Sequence, residues 1–292
     1  MANQQLSVGV IGLGIMGGEF ARHLAEAGVS TLGFDVLPIT LPGVQPATSA
    51  RELAEHADIV ITSLPHAKAL DEALFGDNGL TKSGRRDLIV VETSTFALET
   101  KQSARVRLME NGIHMLDAPV SGTGAQAKLK DIAVFASGER AHFDRAQPVL
   151  AHFARSVRYT GEFGTGSKLK YVANLLIAIH TMAAAEAMTL GKKAGIDPST
   201  LVDVIGDSAA KSRMFEVRAP HMVDGSYSTP MMKVDVFQKD LDIIAEFAKQ
   251  TLCPVPLFTA SIPYYVAARA QGMGGWDIGA VHAVLQRMGG VK

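Results

Sequence analysis

Residues 8–17 read VGVIGLGIMG, and this stretch decides the fold of the first half of the chain. The apolar run at 6–11 is typical of a buried strand, and the amphipathic run at 16–26 is typical of a helix. Between them the glycines follow the pattern Gly-x-Gly-x-x-Gly. In it the first glycine permits a tight turn, the second lets a pyrophosphate approach the backbone, and the third lets the helix pack close to the strand. The helix start offers unpaired N–H groups and the positive end of the helix dipole to phosphates. The pattern therefore predicts a dinucleotide-binding turn made of Gly12, Leu13, Gly14, Ile15, Met16 and Gly17.

An acidic residue stands where the second strand of such a unit ends. Asp35 follows Gly17 by 18 residues, close to the roughly 20 expected of the carboxylate that binds a ribose hydroxyl. A carboxylate there would repel the 2′-phosphate of NADP, and no arginine follows it directly. The sequence thus predicts NAD, with NADP less favoured. The alternative is a glycine-rich turn followed by an ordinary strand-end aspartate.

Strand-like and helix-like segments alternate through the first half and then give way to helices. Strands are predicted at 31–34, 58–63, 88–91, 113–116, 132–136 and 157–159. Such alternation is typical of a parallel sheet with helices on both faces. Later helices are predicted at 173–193, 234–249 and 255–270, with another starting at Asp197-Pro198. We therefore expect a Rossmann-type doubly wound α/β domain over 1–164 and an all-α domain over 165–292, with a site in the cleft between them.

The loops after the later strands offer further candidates for the cofactor site. Leu64 and Pro65 follow a strand whose carboxyl end should lie beside the glycine turn, so we expect them to line the cofactor. The hydroxyl groups of Thr93-Ser94-Thr95 close the next strand. They can bond the cofactor or cap the helix that starts near Leu98, and the sequence leaves both roles open.

The composition excludes several classes of protein. Hydrophobic residues make up 47% of the 292 residues and the net charge is -1, which is typical of a globular protein without a bias toward nucleic acid or anionic membranes. Residues 1–7 lack the basic segment of a secretory signal, and the uncharged segment 171–185 is shorter than the ~20 residues that span a bilayer. The single cysteine, Cys253, excludes an intrachain disulfide, and we expect a packed thiol in a reducing cytoplasm. The nine histidines show no His-x-x-x-His spacing, so no metal is expected.

A second group of residues suggests the chemistry. The small residues of 117–124 (DAPVSGTG) can wrap a carboxylate with N–H and hydroxyl groups. Downstream, Lys170 and Asn174 stand four apart and share one face if the segment is helical. Lysine can take the hydroxyl proton of an alcohol as its hydride leaves, provided that its pKa is lowered from about 10.4. The alternative is a solvated lysine and an asparagine that packs between helices.

These residues together resemble a known family, the β-hydroxyacid dehydrogenases, which include 3-hydroxyisobutyrate dehydrogenase and tartronate semialdehyde reductase. Four separated motifs carry the resemblance over essentially the whole chain: 12–17 (GLGIMG), 117–122 (DAPVSG), 164–174 (GTGSKLKYVAN) and Lys239-Asp240-Leu241. The resemblance implies a nucleotide-binding domain followed by a helical domain, and a homodimer or homotetramer formed through the latter. It also implies that Lys170 is catalytic and that Asn174 supports the substrate. The remaining roles that it implies are substrate binding by Ser121 and Gly122, and cofactor contacts by Thr95 and Lys239.

The chain departs from this family pattern in places. Thr123 stands where a second glycine is usual, and Gln126 and Lys130 replace further glycines, so we count Thr123 among the residues that shape the substrate site. Related imine reductases usually replace the catalytic lysine, which favours alcohol and aldehyde chemistry here. We also hypothesise that Arg213 recognises a second polar or anionic group of the substrate, because guanidinium groups bind carboxylates in a bidentate manner. The alternative for Arg213 is a surface charge pair at a helix start.

The sequence as a whole predicts a cytoplasmic oxidoreductase. The expected reaction is hydride transfer between NAD and a small β-hydroxy acid, similar to 3-hydroxyisobutyrate, or its semialdehyde. Two alternatives remain: an NADP-preferring aldehyde or imine reductase of the same fold, and a non-catalytic dinucleotide-binding scaffold.

Overall fold

Six parallel strands form the main sheet of the first half of the chain. The computed structural model describes residues 6–291, so the expectation for 1–7 falls largely on residues outside the described part. The strands are β1 (Ser7–Ile11), β2 (Ser30–Phe34), β3 (Gln45–Pro46), β4 (Ile59–Thr62), β5 (Ile89–Glu92) and β6 (His114–Asp117). Their spatial order is β3-β2-β1-β4-β5-β6.

Helices cover both faces of this sheet. They are α1 (Ile15–Glu26), α2 (Ala50–His56), α3 (Ala67–Phe75), α4 (Leu98–Glu110), α5 (Gly124–Lys128) and α6 (Arg140–Leu150), with a short 3-10 helix at Leu80–Ser83. Successive side chains of a strand point to opposite faces. Accordingly Ile59 and Ile61 of β4 join one core cluster with Phe20 of α1, while Val60 joins the other with Leu53 of α2. Two cores on one parallel sheet confirm the predicted doubly wound fold.

The strand order reverses beside β1, and this places the candidate site. β1 pairs in parallel with β2 on one side and with β4 on the other. In open α/β sheets, ligands bind at the carboxyl ends of the strands where the order reverses. The glycine turn follows β1 and Leu64 follows β4, so both lie at this edge.

A second, smaller sheet follows, and it contains one of two strands that the sequence did not predict. Its strands are β7 (Val120–Ser121), β8 (Ala133–Ala136) and β9 (Ser156–Tyr159), with β7 antiparallel to β8 and β8 parallel to β9. The predicted strands at 132–136 and 157–159 are confirmed to within one residue. The two missed strands, β3 and β7, are two residues long and carry no periodicity.

The rest of the chain is helical, as predicted. The helices are α7 (Thr165–Lys193), α8 (Pro198–Gly206), α9 (Arg213–Asp224), α10 (Val234–Gln250), α11 (Pro256–Ala270) and α12 (Val281–Gly289), with a 3-10 helix at Ile278–Ala280. The chain divides into two units, Met1–Lys170 and Tyr171–Lys292. The division lies inside α7, six residues after the sequence-based boundary between 164 and 165.

Helix α7 is long and apolar enough to cross a membrane by length and composition alone, a test that core helices of soluble proteins also pass. It contributes Tyr171, Ala178, Met182 and Met188 to the core of the second unit. The helix begins at Thr165, earlier than the predicted 173, because side chains of the first unit accept its first N–H groups, as described below.

One expectation about the surface is wrong. Cys253 is exposed, because it lies in the turn after α10 beside the exposed Leu252. The predicted packed thiol is therefore a surface thiol.

Candidate functional site

The glycine turn has the geometry that a dinucleotide requires. Gly12 adopts a φ of +90°, and a β-carbon there would lie 2.2 Å from the carbonyl oxygen of Ser63. At Gly17 it would lie 1.9 Å from the carbonyl oxygen of Gly12. The protein itself therefore demands glycine at these two positions.

Gly14 differs from its neighbours in this turn. A β-carbon on Gly14 would meet no described protein atom within 4 Å, so packing within the chain does not require glycine there. Gly14 is also the N-cap of α1, and as a glycine it has no side chain that could cap the helix. An open approach to the backbone at a helix start fits a pyrophosphate group, so the residues present fit a nicotinamide dinucleotide.

Asp35 ties the end of β2 to the glycine turn. Its Oδ2 accepts the backbone N–H of Leu13 at 2.7 Å, and its Oδ1 accepts the N–H of Leu37 at 2.9 Å. A carboxylate can accept about four hydrogen bonds, so these two leave acceptor capacity for a ribose hydroxyl. Ile15, which follows Gly14, is exposed, and Met16 is half-buried against the core of this face.

The loops after β4 and β5 are held together by hydroxyl groups. Ser94 Oγ accepts the N–H of Leu64 at 2.9 Å, and Thr93 Oγ1 donates to the carbonyl of Thr62 at 2.7 Å. The N-cap of α4 is Ala97, whose side chain makes no cap hydrogen bond. Pro65 is exposed and Thr95 is half-buried. Cofactor contacts by Leu64, Pro65 and Thr95 remain predictions.

Several residues of the segment 117–124 stabilise the local fold. Gly122 has a φ of +145°, and a β-carbon there would lie 2.5 Å from Ile132 Cγ2. Ser121 pairs with Ala133 across β7 and β8. Thr123 is the N-cap of α5 and forms a capping box with Gln126. The pattern Thr-x-x-Gln is the sequence signal for such a box, so the departures at Thr123 and Gln126 have a structural cause.

The proposed catalytic pair lies on α7. Lys170 is only 5% exposed and Asn174 is 1% exposed, so a solvated lysine does not describe Lys170. Asn174 Nδ2 donates to Asp240 Oδ2 at 2.8 Å, and Lys239 Nζ lies 3.7 Å from Asp240 Oδ1. Asp240 is buried while Lys239 is partly exposed, so this ion pair lies only partly in solvent.

Arg213 is placed as a surface residue of the second unit. It is the first residue of α9, its side chain is 73% exposed, and its Nη1 lies 3.3 Å from Glu216 Oε2. Lys211 Nζ lies 3.3 Å from the other oxygen of Glu216. The charge-pair alternative therefore describes its present contacts, and substrate recognition by Arg213 remains a hypothesis.

A group of possible metal ligands exists that sequence spacing did not reveal. His114, Glu139 and His142 bring their ligand atoms within 4.8 Å of one another. The two imidazole rings are stacked, with centroids 3.8 Å apart and planes 25° apart. In stacked rings the nitrogen lone pairs lie in two nearly parallel planes and do not converge on one point. The three side chains are therefore not arranged as a metal site.

The structure also contains a buried ionic network that is not predicted from the sequence. Glu92, Lys101 and Asp117 are fully buried, and Lys101 Nζ lies 2.6 Å from Glu92 Oε2 and 2.8 Å from Asp117 Oδ1. Burial alone would lower the pKa of Lys101, but the charges of Asp117 and Glu92 outweigh burial and hold this pKa above its ordinary value. The lysine is therefore expected to carry its charge at neutral pH.

Comparison with known proteins assigns the family. Residues 7–161 match the model described as the NAD binding domain of 6-phosphogluconate dehydrogenase. Residues 164–285 match the model described as NAD-binding of NADP-dependent 3-hydroxyisobutyrate dehydrogenase. Together the two matches span nearly all of the chain.

Relatives of similar length agree with these matches. The chain is 38% identical to an L-threonate dehydrogenase of Cupriavidus necator over 94% of each chain. It is also 38% identical to an L-threonate dehydrogenase of Haemophilus influenzae, over 96% of this chain and 95% of the relative. A solved structure from Salmonella typhimurium, described as 3-hydroxyisobutyrate dehydrogenase, is 36% identical with a TM-score of 0.86, covering 96% of this chain and 99% of that one. The chain belongs to the β-hydroxyacid dehydrogenase family of oxidoreductases.

Proposed function

We propose that this protein is an NAD-dependent dehydrogenase of a small hydroxy acid, with Lys170 as its general acid and base. The observation that carries the proposal is a buried lysine near the start of α7, in the same unit as a glycine turn that fits a dinucleotide. A dinucleotide-binding scaffold would need no buried lysine there, because burying an ammonium group is costly.

The choice of NAD over NADP rests on Asp35. Its carboxylate lies at the end of β2, and the three residues after it, Val36, Leu37 and Pro38, carry no charge. A 2′-phosphate at this position would meet a negative charge with no cation in the adjoining sequence to compensate it. NADP is the alternative, and the description of the matched second-half model names it.

The proposed mechanism assigns a proton-transfer role to Lys170. The bound dinucleotide supplies the acceptor or donor of the hydride. In the direction of oxidation, the neutral amine of Lys170 takes the proton of the substrate hydroxyl, and in reduction the ammonium returns it. Asn174 is the residue four positions on, and we assign it to holding the substrate. Ser121, Gly122 and Thr123 are assigned to the substrate carboxylate site. The Gly122 N–H and the Ser121 hydroxyl are its donors, because Gln126 Oε1 already accepts the N–H of Thr123 at 3.0 Å.

The substrate we favour is a four-carbon polyhydroxy acid of the L-threonate type. Support comes from the two relatives at 38% identity, both named L-threonate dehydrogenase. The alternative is 3-hydroxyisobutyrate or its semialdehyde, for which the Salmonella structure is named.

We also propose that the protein is a cytoplasmic homodimer or homotetramer that associates through α7. This helix keeps four large apolar side chains exposed on one face: Leu169, Val172, Leu176 and Leu190. Exposed apolar patches of this kind mark protein–protein interfaces. Light scattering on the purified protein, with Leu176→Glu as the variant that should dissociate it, tests the assembly.

The experiment that tests the reaction is absorbance at 340 nm with a panel of hydroxy acids. The panel contains L-threonate, 3-hydroxyisobutyrate, glycerate and 4-hydroxybutyrate, each with NAD and NADP in parallel. Rapid reduction of NAD by L-threonate supports the proposal. Reduction of NADP alone overturns the cofactor assignment. If no panel member reacts in either direction while the dinucleotide binds, the scaffold alternative is favoured instead.

A further inference from the structure

The buried network around Lys101 joins two neighbouring strand ends. Glu92 and Asp117 are the last residues of β5 and β6, and they stand opposite each other in the sheet register. Two carboxylates side by side in a buried place repel each other strongly. Lys101, from α4, lies against both and also donates to the carbonyl of Ser94 at 2.7 Å. Its ammonium group therefore donates hydrogen bonds to Ser94 and Asp117 and forms an ion pair with Glu92.

Asp117 also anchors the start of α7. Its Oδ2 accepts the backbone N–H of Ser167 at 2.8 Å, and its Oδ1 accepts the hydroxyl of Ser167 at 2.7 Å. The first N–H groups of a helix have no partner within the helix. A carboxylate from β6 therefore caps α7, three residues before Lys170.

Ser137 completes this anchor. Its hydroxyl accepts the N–H groups of Gly164 at 3.2 Å and Gly166 at 3.0 Å, and it donates to Asp117 Oδ2 at 3.0 Å. A β-carbon on Gly166 would lie 2.1 Å from the carbonyl oxygen of Phe135. The first turn of α7 is thus pressed against strand ends, which leaves it little freedom to shift.

The charge balance of the network suits a helix start. Two carboxylates and one ammonium leave a net negative charge buried in this place. The positive end of the dipole of α7 lies beside it and offsets that charge. A buried ion pair is weak evidence for stability, because apolar residues of the same volume often stabilise a fold as well or better. The network instead fixes the position of the start of α7 through several short hydrogen bonds and ion pairs.

We propose that Lys101 is a positioning residue for Lys170. Lys101 binds the Asp117 side chain and holds it in place, Asp117 binds Ser167, and Ser167 fixes the first turns of the helix that carries Lys170. This inference rests on the proposed function, since it assumes that the position of Lys170 matters for the chemistry. Misplacement of a catalytic group by about 1 Å can cost about 100-fold in rate.

Two variants test the proposal. Ser167→Ala removes one hydrogen bond to Asp117 and keeps a good helix former. The paired change Lys101→Met/Glu92→Gln removes one charge of each sign, leaves the side chains of Asp117 and Ser167 unchanged, and removes the cation that holds Asp117 in place. A lone Lys101→Met change would leave two carboxylates unpaired and is expected to unfold the protein. The matched control is Ser261→Ala, because Ser261 is equally buried in a helix and its hydroxyl makes one hydrogen bond, to Phe258.

Three readouts separate positioning from stability. The melting temperature should fall in both Ser167→Ala and Ser261→Ala, and further in Ser167→Ala because its hydroxyl bonds to a carboxylate. The kcat should fall at least threefold in Ser167→Ala and about tenfold or more in the paired variant, with little change in KM for the dinucleotide. Amide hydrogen exchange at residues 167–170 should rise in both variants and stay unchanged in Ser261→Ala.

Wild-type kcat in the folded paired variant would overturn the role of Lys101, whatever happens to exchange. Equal kcat in Ser167→Ala and Ser261→Ala would overturn the link from Asp117 to Lys170. The proposed function fails separately, if Lys170→Met is as active as the wild type. In that case faster exchange in Ser167→Ala would still uphold the anchor, but the catalytic purpose of the anchor would be refuted.

Discussion

The Oδ2 atom of Asp35 accepts the backbone N–H of Leu13 at 2.7 Å. One carboxylate thus serves the conformation of the glycine turn and stands where a ribose hydroxyl is expected. The Asp35 side chain therefore both supports the conformation of the glycine turn and places a negative charge beside it.

Replacing Asp35 by asparagine should relax the preference for NAD. The amide can still accept one backbone N–H, but the negative charge that repels a 2′-phosphate is gone. We expect the ratio of kcat/KM for NADP to that for NAD to rise by about tenfold, equivalent to about 1.4 kcal/mol.

The control for this change is Asp58→Asn. Asp58 precedes β4 and its Oδ2 accepts the N–H of Ser7 at 3.0 Å, so it makes a similar backbone contact at the amino ends of the strands, in addition to an ion pair with Arg85. An unchanged cofactor ratio in Asp35→Asn, or an equal change in Asp58→Asn, would refute the role of Asp35.

Asn174 should stabilise the fold of the second unit through Asp240. Its side-chain N–H donates to the buried carboxylate at 2.8 Å, and hydrogen bonds to charged groups contribute about 1.5–3 kcal/mol. Asn174→Ala is expected to lower the free energy of unfolding in urea by that amount. The exposed Asn111, whose Nδ2 donates to the carbonyl of Arg107, gives the comparison: Asn111→Ala should cost less than about 0.5 kcal/mol. Equal costs for the two variants would show that the bond to Asp240 contributes nothing.

Arg213→Ala tests whether the second unit recognises an anionic substrate group. If it does, kcat/KM should fall more for a dicarboxylic hydroxy acid than for a monocarboxylic one, by about tenfold. Arg140→Ala is the matched control, because Arg140 is also the first residue of a helix, is similarly exposed and pairs with an acid of the same helix. A loss that is equal for both substrates would leave only the surface ion pair with Glu216.

His282 should make the folded protein sensitive to acid. Burial, with a smaller contribution from the charge of Lys192, lowers the pKa of His282 to about 4, and its Nδ1 lies 2.8 Å from Tyr227 Oη. The ordinary pKa of histidine is about 6.5, so the unfolded chain binds this proton first as the pH falls. The neutral imidazole therefore stabilises the fold fully above about pH 6.5, and this contribution is lost as the pH falls toward about 4.

The measurement is the urea midpoint of wild type and His282→Gln at several pH values between 7 and 4. Glutamine does not titrate, so the advantage of the wild type over the variant should shrink steadily on acidification. A difference that is constant with pH would contradict the lowered pKa of His282.

The fold could be predicted from the sequence because its signals are periodic and local. The strand–turn–helix at β1 and α1 carries hydrophobic alternation and three glycines, and both elements lie within one residue of the prediction. The helices α10 and α11 were found by apolar spacing in the same way. The start of α7 was missed because its caps are Asp117 and Ser137, which lie far away in sequence.

The site was predicted less completely, since its supporting residues make contacts between distant segments. Asp117 belongs to the segment 117–124, which is predicted from the sequence to be a carboxylate-binding turn. In the structure, however, its side chain is buried and contacts Lys101 and Ser167. Lys101 lies in α4, and its partners Glu92 and Asp117 end two different strands, so no local sequence pattern indicates these contacts. The capping box of Thr123 and Gln126, by contrast, is a local pattern that can be recognised in the sequence.

The most direct test of the central claim is the kinetics of Lys170→Met with NAD and the acid that the panel identifies. Methionine keeps the length and apolar stem of lysine and removes the group that moves the proton. General acid–base catalysis contributes about 10²–10⁴-fold, so kcat should fall by that factor while the Kd for NAD, measured by fluorescence, stays within about twofold. A variant that keeps most of the wild-type kcat, with NAD still bound, would contradict the assignment of Lys170 as the acid and base.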